Sequence, residues 1–193
     1  MKCLVVIAHP LEDSLCHHLA GEVIHHLTAK GYVITVKDLY KENFDPVLSA
    51  TERAGYYAEQ FDVRLLKDDI IQLQEAESLV FIFPTWWFSF PAILKGWFDR
   101  VWAPGYAYNH ASDLGAISPC LTGLKEVKVV TTLGAPWWVD FFIVQKPVKK
   151  VLKTALLGAC TTNCTFRMLS LYRSENISQA RVAAFVKKIQ NTF

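Results

Sequence analysis

Three short runs of this chain carry side chains that could do chemistry, and each follows a stretch that reads as a buried strand. The first, AHPLEDS, puts His9 and Pro10 at a strand end and Ser14 near a helix start. Unpaired N–H groups and the positive end of a helix dipole make such a corner an anion site. His9 can add a hydrogen bond to a phosphate, and Ser14 can cap the helix or donate to the same oxygens. A plainer reading stays open, in which His9 satisfies a carbonyl and Ser14 is only a cap. The chain has neither a G-x-G-x-x-G nor a G-x-x-x-x-G-K-[ST] run, so the glycine-rich phosphate cradles are absent.

The second run, FPTWWFSFPAILKGWFDRVW, is the most informative. Phe83 ends an apolar strand, and Trp86, Trp87 and Phe88 follow in a loop, where large aromatics have no routine packing task. Flat aromatic surfaces beside exposed backbone amides suit a planar heteroaromatic ring. An aromatic dimer interface or a core plug is the competing reading, and such a loop can serve at a subunit boundary as well. The third run, VVTTLGAPWW, offers the hydroxyls of Thr131 and Thr132, then Leu133 and Gly134. Gly134 permits the close backbone approach that a ring-binding loop needs. Trp137 and Trp138 either join the site or cover the helix behind them.

Other constellations are weaker. His17, His18, His25 and His26 share one helix, and His18 and His25 stand two turns apart, a spacing that does not converge on a metal as an i, i+4 pair can. Cys160 and Cys164 lie at a helix-to-strand junction without a C-x-x-C partner and read as structural thiols. The chain lacks the G-x-S-x-G elbow of a Ser-His-Asp hydrolase.

The elements that must position the three runs follow from periodicity. Lys2 to Ala8 is a continuous apolar run, the signature of a strand buried on both faces. Asp13 or Ser14 then caps a helix with Leu15, Leu19, Val23, Ile24 and Leu27 at helical spacing, and Gly31 closes it. Strands are expected at Tyr32 to Val36, Ser78 to Phe83, Val127 to Thr132 and Thr161 to Leu169. Helices are expected near Val63 to Glu75, from Pro91 through Val101, over most of Val139 to Leu157, and at Ile177 to Ile189. Strands alternating with helices force right-handed βαβ units. The predicted fold class is α/β: one flavodoxin-like three-layer sandwich over residues 1–193, a five-stranded parallel sheet with helices on both faces. In such a sheet ligands bind beyond the carboxyl ends of the strands, where all three runs fall.

The 193 residues suit one domain with a full core. A hydrophobic share of 52% with 20% charged residues marks a packed globular chain. The formal net charge of +2 gives no basic face for nucleic acid, and Lys146 to Lys153 is spaced like the wet side of a helix. No apolar run approaches the roughly 20 residues of a membrane span. Five scattered cysteines and a start that runs straight into a strand fit a reducing, cytoplasmic setting.

The second run resembles the NAD(P)H:quinone oxidoreductases, the group containing DT-diaphorase and the modulator of drug activity B. LVVIAHPLEDS and KDLYKENFDP (Lys37 to Pro46) share the likeness, which holds in register over roughly Lys2 to Thr132 and thins beyond. The resemblance implies a flavin whose diphosphate meets His9, with Ser14, Leu15 and Cys16 along the same groove. Pro84, Thr85, Trp86, Trp87 and Phe88 would follow the flavin ring, and Thr131, Thr132, Leu133 and Gly134 would complete the cofactor site. Trp87 and Phe88 would also form part of the acceptor pocket. Tyr108 matches a tyrosine that the family contributes across a homodimer, and His110 stands where a second tyrosine is found. These four, Trp87, Phe88, Tyr108 and His110, are the implied catalytic contacts.

The chain departs from the family in places. Phenylalanine and asparagine are common where this chain has Leu15 and Cys16, which removes an aromatic contact and a donor on the adenine side. FAD is the implied cofactor, with FMN the alternative. The family's Thr-Thr-Gly-Gly becomes Thr-Thr-Leu-Gly, and its later tyrosine–histidine pair has no counterpart at Pro136 to Val139. The implied activity is ping-pong hydride transfer from NADPH or NADH to a quinone-like acceptor. An FMN-dependent reductase or azoreductase, or a flavin-binding regulatory subunit like those of potassium-efflux systems, are the alternatives. An electron-carrier flavodoxin is disfavoured by the sequence pI of about 8.2, because those proteins are strongly acidic.

Overall fold

In the computed structural model, which describes residues 1–57, 61–111 and 116–193, five parallel strands form the central sheet. They are β1 (Lys2–Ile7), β2 (Val33–Asp38), β3 (Ser78–Pro84), β6 (Glu126–Leu133) and β7 (Thr165–Tyr172). Their order is β2-β1-β3-β6-β7. A small antiparallel pair, β4 (Tyr108–Asn109) with β5 (Ser118–Pro119), lies outside this sheet and had no counterpart in the expected elements. With that pair set aside, the order is the doubly wound one whose switch point falls between β1 and β3.

Helices cover both faces, as the continuous apolar strands require. On one face α1 (Leu15–Ala29) and α7 (Gln179–Thr192) bury Leu19, Val23, Phe185 and Ile189 against Val5, Ile82 and Val130. On the other, α3 (Lys67–Glu75) and α4 (Ala92–Val101) pack Ile70, Leu73, Leu94 and Trp97 against Leu4, Phe81 and Val129. The expected three-layer α/β sandwich is the fold observed.

Local chemistry sets the ends of α1. Ser14 caps it by accepting the His17 amide at 3.3 Å. Gly31, at φ 82°, closes it: its amide donates to Thr28 O and the Tyr32 amide reaches back to Leu27 O. That is the left-handed closure which glycine makes at no steric cost. Tyr32 therefore belongs to the helix cap, and β2 starts one residue later than expected.

Other boundaries move as well: α3 starts at Lys67 rather than Val63, and α7 runs from Gln179 to Thr192 rather than Ile177 to Ile189. The helical stretch after β6 is not continuous: a π-helical turn at Val139–Ile143 stops at Gln145 and Lys146, both at positive φ. Lys146 precedes Pro147, whose ring disfavours a helical conformation in the residue before it. The chain resumes as α5 (Pro147–Lys150), a π-helical Val151–Leu156 and α6 (Leu157–Cys160). The Thr161 amide and hydroxyl both cap Leu157 O, so β7 begins only at Thr165 and runs on to Tyr172. A short helix, α2 (Ala50–Gly55), was not expected from the sequence; Ser49 and Glu52 form a reciprocal capping box at its start.

Glu52 also holds the buried Arg100 at 2.7 Å. Arg100 donates in turn to Asp45 O, and its guanidinium lies over the Phe44 ring at 5.6 Å. A Cβ on Gly96 would overlap Pro46. The KENFDP and PAILKGWFDR runs are thus two halves of one packed joint, which fixes α4 and the loop before it.

Candidate functional site

A cleft of about 440 Å³ opens at the carboxyl ends of β1, β3, β6 and β7. Four connections reach it: His9, Leu15 and Cys16 after β1; Pro84, Thr85, Trp86 and Trp87 after β3; Thr132 and Gly134 after β6; and Ser174 and Glu175 after β7.

The α1 corner is polar and open. The Ser14 cap engages the amide of His17, and Ser14 O takes that of His18, leaving the Leu15 and Cys16 amides over. His9 Nδ1 stands 3.1 Å from the Leu11 amide and 3.3 Å from the Leu11 carbonyl: in the tautomer that accepts the amide, Nε2–H is free to donate, and in the one that donates to the carbonyl, Nε2 is a free acceptor. Burial pulls the His9 pKa below its usual value, opposed by the bond that Nδ1–H can make to Leu11 O. The Cys16 thiol lies 3.6 Å from Thr132 Oγ1, and burial pushes it up to about 11. It stays protonated near neutrality and fills the floor as a small apolar group.

The β3 loop is tied to its neighbour and then strained. Thr85 donates both its amide, at 2.9 Å, and its hydroxyl, at 3.2 Å, to Thr132 O. Trp86 and Ser89 close a tight turn with a 2.9 Å bond. Its two central residues, Trp87 and Phe88, sit at φ 52° and 56°. Both positive values belong to the turn type that asparagine and glycine normally build. Bulky residues there cost roughly 1–3 kcal/mol each, a strain that collects at binding sites. The turn holds Trp87 98% exposed at the cleft mouth, while the Trp86 ring stands 6.2 Å from that of His9. Phe88 is half-buried and its side chain does not line the cleft.

Pleat alternation divides the β6 loop. Thr132 and Gly134 face the cleft, whereas Thr131 is fully buried and donates to Ser170 Oγ at 3.1 Å. Leu133 also points to the opposite face, lining a separate cavity with Asp140 and Tyr172. The side chains of Thr131 and Leu133 therefore lie off this cleft, which leaves only the backbone of these two residues beside it. Trp137 and Trp138 are 56% and 47% exposed, so they do not simply cover a helix.

Tyr108 and His110 lie away from this cleft within the chain. Tyr108 is half-buried, lines a cavity of about 270 Å³ with Phe98 and Trp102, and is raised in pKa by that burial. The His110 ring stacks on Tyr57 at 4.8 Å and meets Tyr108 edge-on at 5.2 Å.

Sequence reasoning missed the β7 loop. Glu175 crosses the cleft so closely that a Cβ on Gly134 would stand 2.6 Å from Glu175 Oε1. The same carboxyl-end rule would have found Ser174 and Glu175 had β7 been placed to end at Tyr172. It also missed Asp38, which accepts from His17 Nε2 at 2.8 Å beside the α1 corner.

Nearly the whole chain matches a known family and known structures. A family described as the flavodoxin-like fold matches residues 1–191. NAD(P)H dehydrogenase [quinone] 1 of Cavia porcellus is 35% identical over 152 residues, covering 69% of this chain and 54% of that protein. The chain spans about half the length of the curated relatives it matches. Smu.1420 from Streptococcus mutans superposes with a TM-score of 0.85 at 30% identity, covering 99% of this chain and 97% of the other. The NAD(P)H:quinone oxidoreductase from Methanothermobacter marburgensis superposes with a TM-score of 0.83 at 25% identity, covering 99% and 94%. The resemblance read from the first two loops is borne out.

Proposed function

This chain belongs to the flavodoxin-like fold family, and on that premise we propose that it is an NAD(P)H-dependent flavin oxidoreductase that reduces quinones or similar aromatic acceptors. One observation carries the reading: a cleft of about 440 Å³ joins open amides at a helix N-terminus to an aromatic rim. That volume lies within the usual range for small-molecule sites.

The residues present fit a flavin nucleotide, with FAD the cofactor proposed and FMN the alternative. The Leu15 and Cys16 amides and the His9 Nε2–H suit a phosphate at the positive end of α1. Trp86 and Trp87 supply flat surfaces for the ring, Thr85 ties the β3 loop to the β6 loop, and Gly134 keeps the floor free of a side chain. A bound flavin supplies the centre that takes a hydride from NADPH or NADH and passes it on. The chain's own part is to hold donor and acceptor in turn against one face, to orient them, and to exclude water with its aromatic rim.

Tyr108 and His110 do not line their own cleft, and large aromatics stand exposed at Trp87, Trp137, Phe141 and Phe142. These features support a homodimer in which Tyr108 and His110 complete the neighbour's site with Trp87 and Phe88. A sedimenting monomer at micromolar concentration contradicts that arrangement. Five free cysteines support a cytoplasmic setting, and no helix among the described residues is long and apolar enough to cross a membrane.

Initial rates with NADPH and menadione test the activity. Parallel double-reciprocal lines are the expected ping-pong pattern, and intersecting lines refute it. Near-zero turnover by a flavin-loaded protein favours the regulatory-subunit reading instead.

A further inference from the structure

The cavity behind the β6 loop is built around a buried carboxylate. It holds about 200 Å³, is walled by Leu133 and Tyr172, and shares Thr85 with the cleft, so the two spaces border one residue. Asp140 lines it and is only 7% exposed. Aspartate is almost never buried this far without a charged partner. Among the described residues Asp140 pairs with no lysine, arginine or histidine. Tyr172 donates to its Oδ2 at 2.7 Å, and Oδ1 takes no hydrogen bond from the described residues. Burial, then Asp140, pushes the Tyr172 hydroxyl up to about 12, so that donor keeps its proton near neutrality.

The backbone that carries Asp140 is irregular at the same place. Val139–Ile143 is a π-helical turn, closed by the Val144 amide on Val139 O at 3.0 Å. Single π-turns are frequent at functional sites. Gln145 and Lys146 then stand at φ 58° and 53°, left-handed values that strain any residue but glycine and that collect at ligand clamps. The Lys146 amide donates to Asp140 O at 2.8 Å, which ties this strain to the carboxylate. The Lys146 side chain lines the cavity, and Lys149 and Lys188 line it too. None of the three makes an ion pair among the described residues; Lys146 Nζ lies over the Phe141 ring at 4.3 Å.

These groups restrict what can bind. A metal or ammonium ion would meet Asp140 but also three lysines, and a bare anion would meet the lysines but also an unneutralised carboxylate. A group that gives O–H donors to Asp140 while holding negative charge near the ammonium groups satisfies both sets. A ribosyl phosphate is such a group. Carboxylates take ribose hydroxyls at dinucleotide sites, and lysines hold phosphates as point charges. The volume has room for several waters, hence for a sugar rather than a single ion.

We propose that this cavity receives the ribosyl phosphate next to the nicotinamide of NADH or NADPH, with Asp140 taking ribose hydroxyls and Lys146 and Lys149 facing the pyrophosphate. The inference rests on the flavin oxidoreductase reading above and names what anchors its electron donor. The nicotinamide then lies on the Thr85 side, toward the cleft. A quinone acceptor has neither sugar nor phosphate and makes none of these contacts, so one cleft can hold the two partners in turn and still tell them apart.

Anaerobic rapid mixing of the flavin-loaded protein with NADH gives donor affinity from the concentration dependence of flavin bleaching. The comparison donors are N-ribosyl dihydronicotinamide, which keeps the ribose but has no phosphate, and N-methyl dihydronicotinamide, which has neither. Calorimetric titration with NAD+ reads binding without turnover. Asp140→Asn is expected to raise Kd about tenfold for NADH and for the ribosyl donor and to leave the methyl donor unchanged. Lys149→Gln is expected to raise Kd about tenfold for NADH and NAD+ and to leave both smaller donors unchanged. Lys149 is exposed, so its variant decides the matter even where Asp140→Asn disturbs the turn. A Kd for NADH that either folded variant leaves at the parent value overturns the inference, while bleaching by NADH keeps the oxidoreductase reading. A uniform loss across all three donors also overturns it, because the side chain then acts on the fold rather than on sugar or phosphate. Flavin that none of the three donors bleaches overturns the oxidoreductase reading and this inference with it.

Discussion

The two ends of the sheet are both polar, yet they treat their polar groups in opposite ways. At the amino end Lys128 is 1% exposed, paired with Glu126 and within 3.5 Å of Ser78 Oγ and Tyr32 OH. Tyr32 donates to the same Glu126 oxygen at 2.9 Å, and its ring lies 5.0 Å from Lys128 Nζ. Burial, then Glu126, pushes the Tyr32 hydroxyl up to about 12. Burial alone would raise the Glu126 carboxyl, but Lys128, Ser78 and Tyr32 outweigh it and hold it below its usual 4.5. At the carboxyl end His9, Leu15, Cys16 and the exposed Trp87 border an open cleft. A buried charge is tolerated only when paired, so the amino end closes on itself. Groups left open at the other end, under a strained turn, are the mark of a site made for something outside the chain.

The largest effect is expected where the closed end is broken. Glu126→Gln strands the Lys128 charge and is expected to lower stability by about 3 kcal/mol in chemical denaturation, with flavin affinity unchanged. The same carboxylate sets a pH dependence. Because its folded pKa is depressed, its contribution is present above the ordinary carboxylate range and is lost as pH falls through the lower folded value. The variant should therefore show a shallower loss of stability below about pH 4.5 than the parent. An equal decline in both removes Glu126 from the account.

At the open end the order of effects reverses. His9→Ala is expected to weaken flavin nucleotide binding by roughly 2 kcal/mol, about thirtyfold, and to leave the denaturation midpoint nearly unchanged. A large stability loss instead would return His9 to the plainer role of satisfying a carbonyl. Ser14→Ala removes a helix cap and should cost about 1 kcal/mol of stability. The smallest change is Trp87→Gly, which relieves a positive φ and should raise stability by about 0.5 kcal/mol after the added chain freedom. Acceptor turnover should fall in the same variant, and unchanged kcat/KM would remove Trp87 from the acceptor pocket.

Sequence made some of this contrast legible and hid the rest for physical reasons. Gly31 is read correctly, and Ser14 is one of the two caps the sequence offers, because caps and left-handed closures depend on neighbours a few residues away. The β3 loop stands out because aromatics after a buried strand lack a packing role. The side-chain directions of Thr131 and Leu133 stay hidden because a strand buried on both faces shows no alternation to tell one face from the other. Thr161 invites a strand, but its hydroxyl caps α6, and the resulting shift in β7 conceals Ser174 and Glu175. His17 and Asp38 are 21 residues apart, and no local pattern joins a helix start to the end of the adjacent strand. The paired interior of KENFDP and α4 was visible only as family likeness, although Gly96 and Arg100 show it to be a packing joint.

The visible spectrum of the purified protein, recorded anaerobically before and after NADPH, tests the central claim most directly. A flavin band that bleaches on adding the nucleotide is the predicted result, since it requires both the cofactor and its reduction at this cleft. A colourless protein that takes up neither FAD nor FMN, or a flavin band that NADPH leaves unchanged, contradicts the account.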